Sequence, residues 1–234
     1  MKVGIIQSNY IPWRGYFDFI DSVDLFVFHD DLQYTKNDWR NRNKIKTRTG
    51  LSWLTVPVKY NRTAQLISET EIDYTQKWGQ KHINMLKENY QKSPYFKDIS
   101  EPFFEIISKR HNYISELNIE IIKFIMQELS IKTPLKMSCE LALTGAKTAR
   151  VIDILKKNGA TTYLSGPAAK NYLDENMFKE NHISLEYKSY DYPEYPQLWG
   201  SFEGAVSVLD LLFNTGTEAR KFLKSKTPDV VALK

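Results

Sequence analysis

One cysteine, Cys139, stands among 234 residues. That excludes a disulfide framework and a zinc site built on cysteines, and it suits a reducing compartment. No stretch approaches the roughly 18 consecutive apolar residues that a bilayer-spanning helix needs. The only apolar run near the start, Val3–Ile6, is too short for the hydrophobic region of a signal peptide. A soluble, cytoplasmic protein is expected. Charge of one sign is scarce too: 32 Lys+Arg against 28 Asp+Glu leave +4, mild for a nucleic-acid binder unless the basic residues gather in one stripe. There is no Walker A loop, GxGxxG, HExxH, GxSxG or CxxC, so the common nucleotide, zinc-peptidase and serine-hydrolase classes lose their main sequence support. No metal ligand set is expected.

What is present is ordinary globular composition, 42% apolar and 26% charged, with a surplus of aromatics at 13%. Disorder and coiled-coil rods are excluded. A chain of this length buries about 70% of its unfolded surface and needs no covalent staple. Val3–Gln7 is short and β-branched and predicts a buried strand. Phe17, Ile20 and Val23 then fall at helical spacing, and LFVFHDD from Leu25 predicts a second strand, so a parallel βαβ unit opens the chain. SWLTVPV (Ser52–Val58) predicts a third strand. Gln76–Gln127 is mostly helical, a helical insertion over about residues 76–135. Thr148–Asn158 predicts an amphipathic helix ended by Gly159, TTYLSG a strand, Ala168–Asn176 a short helix, ISLEYKSY a strand, and Ala205–Phe213 a last helix stopped by Gly216. This alternation predicts one α/β domain over residues 1–234.

Ligands of open parallel sheets sit beyond the carboxyl ends of the strands. The candidate loops are therefore Ser8–Gly15, with Gln7, Asn9, Tyr10, Trp13 and Tyr16, and His29–Lys36, with Asp30, Asp31 and Gln33. KNDWRNRNKIKTR holds six basic residues with Asp38 the only acid. Lys36, Arg40 and Arg42 suit phosphate oxygens, Trp39 suits stacking on a base or sugar, and the amides Asn41 and Asn43 are more than a solubilising loop needs. WGQKH sets Trp78 and His82 four residues apart on one helix face, and His82 and His29 are candidate bases. Cys139 has no histidine within 25 residues in sequence. YLSGPAAKNYL offers Ser165 and Gly166 at a strand end before a helix start carrying Lys170, a pattern that attracts anions. The Tyr/Pro loop with Gln197 and Trp199 reads as an ordered lid or subunit contact.

QSNYIPWRGYFDFID, DLFVFHDDLQYTKNDWRNRNKI, WLTVPV, WGQKH, YLSG–NYL and YPQ–F–SVLDLLFNTG, in that order from Gln7 to Gly216, resemble the WbqC-like family. Members occur among genes for O-antigen and other surface polysaccharides, so the resemblance implies work on nucleotide-activated sugars. The first 35 residues are also similar to the opening of pantothenate synthetase and related nucleotidyltransferase-like enzymes, which implies a Rossmann-like (HUP-like) parallel sheet with flanking helices. Those enzymes activate a carboxylate with ATP and pass the acyl group to an amine. Where their HxGH-type motif has two histidines, this chain has Trp13 and Tyr16, keeping Gly15 between them.

The expected function is acyl or aminoacyl transfer, with glycine the preferred unit, onto the amino group of a nucleotide-linked deoxysugar. The donor is ATP with Mg²⁺ and free amino acid, or an aminoacyl-tRNA. The bases are sought among Asp30, Asp31, His29 and His82. The alternatives are a glycosyltransferase using Asp30–Asp31 on a metal-bound sugar nucleotide, and a non-catalytic sugar-nucleotide-binding protein. All of these place Trp13, the twin aspartates and the arginine cluster around one hollow.

Overall fold

The computed structural model describes residues 1–234. In chain order the elements are β1 (Lys2–Ile6), α1 (Arg14–Ile20), β2 (Leu25–Phe28), β3 (Arg42–Thr47), β4 (Gly50–Thr55), α2 (Trp78–Tyr90), α3 (Phe96–Ser108), α4 (Ile114–Glu128), β5 (Leu135–Met137), α5 (Lys147–Lys157), β6 (Thr162–Ser165), α6 (Glu175–Glu180), β7 (Ser184–Tyr187), α7 (Val208–Thr215) and β8 (Val230–Leu233). Six strands make one sheet in the order β5-β2-β1-β6-β7-β8. The first five run parallel and β8 joins antiparallel. Helices cover both faces, and the fold is Rossmann-like.

The strands alternate between two helical layers, as a period of two requires. Val3, Ile5, Val27, Tyr163, Leu185 and Tyr187 pack with Ile152, Ile154, Leu155 and Phe178 of α5 and α6. Phe26, Phe28 and Leu164 face the other way, into α1, α7 and the helices α2–α4. Gly4 also lies on that side. A Cβ there would meet Cε1 of Phe19 at 2.4 Å, so glycine lets α1 lie against β1.

Between β2 and β5 the chain leaves the sheet. It makes the β3–β4 hairpin and the helices α2–α4, whose Leu86, Phe103, Ile121 and Ile125 share a core with the sheet. Gly159 (φ 64) follows α5 and Gly216 (φ 52) follows α7, at the expected ends. Three local expectations need correction. The basic stretch is half strand: Arg42–Thr47 pairs antiparallel with Gly50–Thr55, so SWLTVPV is the second arm of a hairpin and lies outside the parallel sheet. Ile45 points inward, while Arg42 and Lys44 cover Trp53 on the outer face. The helix expected over Ala168–Asn176 is a 3-10 turn, Pro167–Asn171, separated from α6 by Asp174, whose carboxylate caps α6 at the Asn176 N–H. The three-residue β5 and the edge strand β8 complete the sheet beyond the expected elements. No helix is long and apolar enough to cross a membrane.

Candidate functional site

The strand order reverses between β1 and β6, and there the carboxyl ends leave a crevice. Past Ile6 and Phe28 the chain keeps the alternation of the strands. Gln7 and His29 continue the side of Val3, Ile5 and Val27, and both line a cleft of about 380 Å³. Its floor is Ile5, Ile6 and Tyr163, its far wall Lys147, Thr148, Arg150 and Val151 from the first turn of α5, and its rim Leu173 with Tyr172, which is 72% exposed. Asp31 continues the same side. Its carboxylate accepts from Arg150 Nη2 and from Ser138 Oγ.

Burial alone would raise the Asp31 pKa, but the Ser138 hydroxyl, His29 and Arg150 outweigh it and hold the carboxyl below its ordinary range. His29 moves the other way from a charged imidazole. Burial pushes its pKa down, more than Asp31 pulls it up. The ring is therefore neutral near pH 7. Its Nε2 accepts from Arg150 Nε at 3.3 Å, and the 3.7 Å approach to Asp31 Oδ1 is a contact with a neutral ring, not an ion pair. Lys147 opens α5 at φ 50, a left-handed conformation uncommon for lysine.

The opposite parity is structural. Ser8 and Asp30 face α4 and are buried. The Asp30 carboxylate accepts from the Ser8 N–H at 2.7 Å and from the Ser115 hydroxyl. Asn118 Nδ2 donates to Ser8 Oγ at 3.2 Å and to the Arg40 carbonyl at 2.8 Å. Asp30 thus fastens the loop after β1 to α4 and does not reach the cleft, so the twin aspartates point to different sides.

A second hollow, about 320 Å³, lies beside the first, lined by Asn9, Pro12, Trp13, Trp39, Asn43 and Ala205. Trp13 packs edge-on against Tyr190 and Tyr192, with ring centroids 5.1 and 5.6 Å away. A Cβ on Gly15 would lie 2.3 Å from the Trp13 indole, so glycine makes its placement possible. Arg40 joins the two hollows. Its guanidinium donates to Asn9 Oδ1 and to Gln7 Oε1 at 3.2 Å, and Asp38 lies 3.6 Å away.

The remaining candidates lie elsewhere. His82 is 1% exposed, shares a hydrogen bond of 2.9 Å between its Nδ1 and the Tyr10 hydroxyl, and has its pKa pushed down by burial to about 4. Both residues are core. Tyr16 is buried and donates to the Gln7 carbonyl at 3.0 Å. Ser165 is buried, its hydroxyl donating to the Tyr163 hydroxyl at 3.3 Å, and Gly166 leads into the 3-10 turn. Asn41 is buried and donates to the Val56 carbonyl. Gln33 donates to the Thr63 carbonyl, Lys36 lies over the Tyr60 ring, and Arg42 lies over Trp53. Lys170 lies over the Tyr187 ring. Cys139 is exposed and its thiol is pushed up, first by burial, then by Asp31. No three His, Cys, Asp or Glu side chains converge as a metal site. Lys147, Thr148, Arg150, Ser138 and Tyr172 are absent from the sequence-based candidates. Their signal was present in TGAKTAR, polar and basic residues opening a helix that follows a parallel strand.

A family model for the WbqC-like protein family matches residues 7–222, which include the second hollow and every residue lining the first except Ile5 and Ile6. The chain belongs to the WbqC-like protein family. It is 47% identical over 226 residues to Rv1507c, an uncharacterized protein of Mycobacterium tuberculosis (strain ATCC 25618 / H37Rv), covering 95% of this chain and 97% of that one. No solved structure matches.

Proposed function

We propose that this WbqC-like protein is a transferase that forms an amide on the amino group of a nucleotide-linked deoxysugar, with glycine the preferred acyl unit. The observation that carries the proposal is the cleft at the strand-order reversal, where a neutral imidazole lies beside two cations. Lys147 and Arg150 suit a diphosphate, and backbone N–H groups at the start of α5 add to that field. Tyr172 at the rim suits a base. Trp13 and Trp39 in the adjoining hollow suit the flat faces of a sugar ring, and Arg40 stands between the two.

In the step proposed, the amine nitrogen attacks the activated carbonyl carbon. The C–N bond forms, the bond from carbonyl carbon to the leaving oxygen breaks, and the amine proton passes to His29. An imidazole that is neutral at pH 7 is ready to accept it. A phosphate that draws Arg150 toward itself frees the Nε2 lone pair. Asp31 holds Arg150 and so positions this arrangement. The leaving oxygen is that of an acyl-adenylate, where ATP and Mg²⁺ supply the activation, or the ribose oxygen of an aminoacyl-tRNA. Tyr16 is committed to a buried hydrogen bond and Trp13 lines the other hollow, so neither replaces the phosphate-binding histidines of the pantothenate synthetase-like enzymes. In the ATP route that work falls to Lys147 and Arg150.

The glycosyltransferase alternative loses its metal-binding pair, because Asp30 is spent on Ser8 and Ser115 while Asp31 is spent on Arg150. Purified protein incubated with a nucleotide-linked amino sugar, glycine, ATP and Mg²⁺, or with charged tRNA, should yield the acylated sugar nucleotide by mass spectrometry. His29→Gln should abolish the product. Binding of the sugar nucleotide without a mass gain from any donor would leave only a binding protein.

A further inference from the structure

The outer face of the β3–β4 hairpin lies outside the cleft at the strand ends and meets the second hollow only at Trp39. Trp39 and Trp53 are 44% and 39% exposed, with their rings 5.6 Å apart and tilted by 38°. Arg42 and Lys44 lie 4.2 and 5.0 Å from the centre of the Trp53 ring, and Leu51 beside them is 40% exposed. Of the six cations between Lys36 and Arg48, Arg40 alone is paired with an acid, Asp38. Lys36, Arg42, Lys44 and Arg48 rest on aromatic rings with no carboxylate partner. Arg42 spends one nitrogen on the Asn37 carbonyl, and its buried Nε has no partner.

Exposed indoles flanked by unneutralised cations are the elements of a single-stranded nucleic-acid platform, in which bases stack on the rings and phosphates meet the cations. We infer that this face docks the unpaired end of an RNA. Its charge matches a polyanion. It is also continuous with the groove, because Trp39 belongs both to the exposed pair and to the wall of the hollow with Asn9 and Trp13. A strand lying across Trp53 and Trp39 therefore ends at Arg40. The choice of RNA over DNA rests on the transfer function proposed above, since an RNA end carries an activated acyl ester and a DNA end carries none.

The test is fluorescence anisotropy of a labelled single-stranded RNA of eight nucleotides, and of uncharged tRNA, with the full-length protein. Binding should quench tryptophan fluorescence. With three phosphates engaged, the logarithm of the association constant should fall with the logarithm of salt at a slope of about −2. Trp53→Ala should weaken binding about tenfold, and Arg42→Gln with Lys44→Gln should flatten the salt slope. Trp53 is exposed and Arg42 and Lys44 are half-buried on the outer face, so the thermal melt should move little, and Trp53→Phe, which keeps a ring, should recover most of the affinity. Three results would overturn the inference: no RNA binding at low salt, single-stranded DNA bound as tightly as RNA, or binding of phosphatidylserine vesicles in place of RNA. A parallel thermal shift with UDP-linked amino sugar reports on the cleft alone. A retained shift without RNA binding rejects the docking face and leaves the transfer reaction standing, whereas RNA binding without the shift does the reverse.

Discussion

The two faces of the sheet are built to different depths. On one, 42 buried residues from α1, α7, the hairpin and α2–α4 form a continuous core. On the other, 12 buried residues lie under α5 and α6 alone. His29, Lys147 and Arg150, which line the cleft, and Asp31, which holds Arg150, all belong to the thin side. Ser8 and Asp30, one residue away in each loop, belong to the deep side and hold the loops still. A site placed this way takes its rigidity from the thick layer and keeps its far wall on a helix that few neighbours restrain. Regions that open to ligands are drawn from the weakly buttressed parts of a fold.

Paired core truncations put that difference to the sharpest test. Phe28 is fully buried in the deep core, and Phe28→Ala should cost about 3–5 kcal/mol, a large share of the roughly 5–15 kcal/mol that holds a domain together. Leu155 is as fully buried on the thin side, yet α5 can settle into the space, so Leu155→Ala should fall near the low end of the leucine range, about 2 kcal/mol. Urea unfolding measures both. Equal losses would mean that the thin side is packed as tightly as the thick one.

Acid should unfold the deep side through His82. Its folded pKa lies near 4, below its ordinary 6.5, chiefly through burial and against a smaller opposing pull from a backbone hydrogen bond to Thr55. A histidine with a lowered folded pKa binds its proton more readily in the unfolded chain. The resulting penalty is absent above about pH 6.5, grows as pH falls, and is complete near pH 4. The gap is worth about 3 kcal/mol. His82→Gln, which keeps an acceptor for Tyr10, should flatten the dependence of stability on pH across that window. Identical pH curves for the variant and the parent would show that His82 is solvated rather than locked in the core.

The sheet was legible because its inner strands are apolar and its turns are marked. Val3–Gln7, Leu25–Phe28 and the helix ended by Gly159 fall close to where their patterns put them. β3 was hidden because lysine and arginine cover an indole as readily as they face water, so a strand outside the main sheet reads as a basic loop. β5 has too few residues for any period to show, and β8 is a four-residue apolar run, half of it exposed at the sheet edge, equally short of a readable period. The loops after β1 and β2 were visible as functional segments, but the separation of Asp30 from Asp31 was not. It follows from strand parity, which sends neighbours to opposite faces. Arg150 is 119 positions from Asp31 in sequence, and only the crossover of α5 brings them together.

Arg150 also gives the mildest test of the difference between the faces, because its effect should fall on binding alone. Its side chain is 22% exposed and its partner Asp31 14%, so solvent screens the pair and the stability lost with it should be at most about 1 kcal/mol. Arg150→Gln should therefore leave urea unfolding nearly unchanged. A charge-assisted hydrogen bond to phosphate is worth about 1.5–3 kcal/mol, and partial exposure favours the lower figure, roughly a tenfold rise in Kd for a nucleoside diphosphate sugar by calorimetry. The variant also removes the donor on His29 Nε2, so the basicity of the ring should rise, which imidazole proton shifts in NMR would record. A variant that unfolds early while keeping its affinity would make Arg150 a brace for the thin layer and move the phosphate-binding role to Lys147.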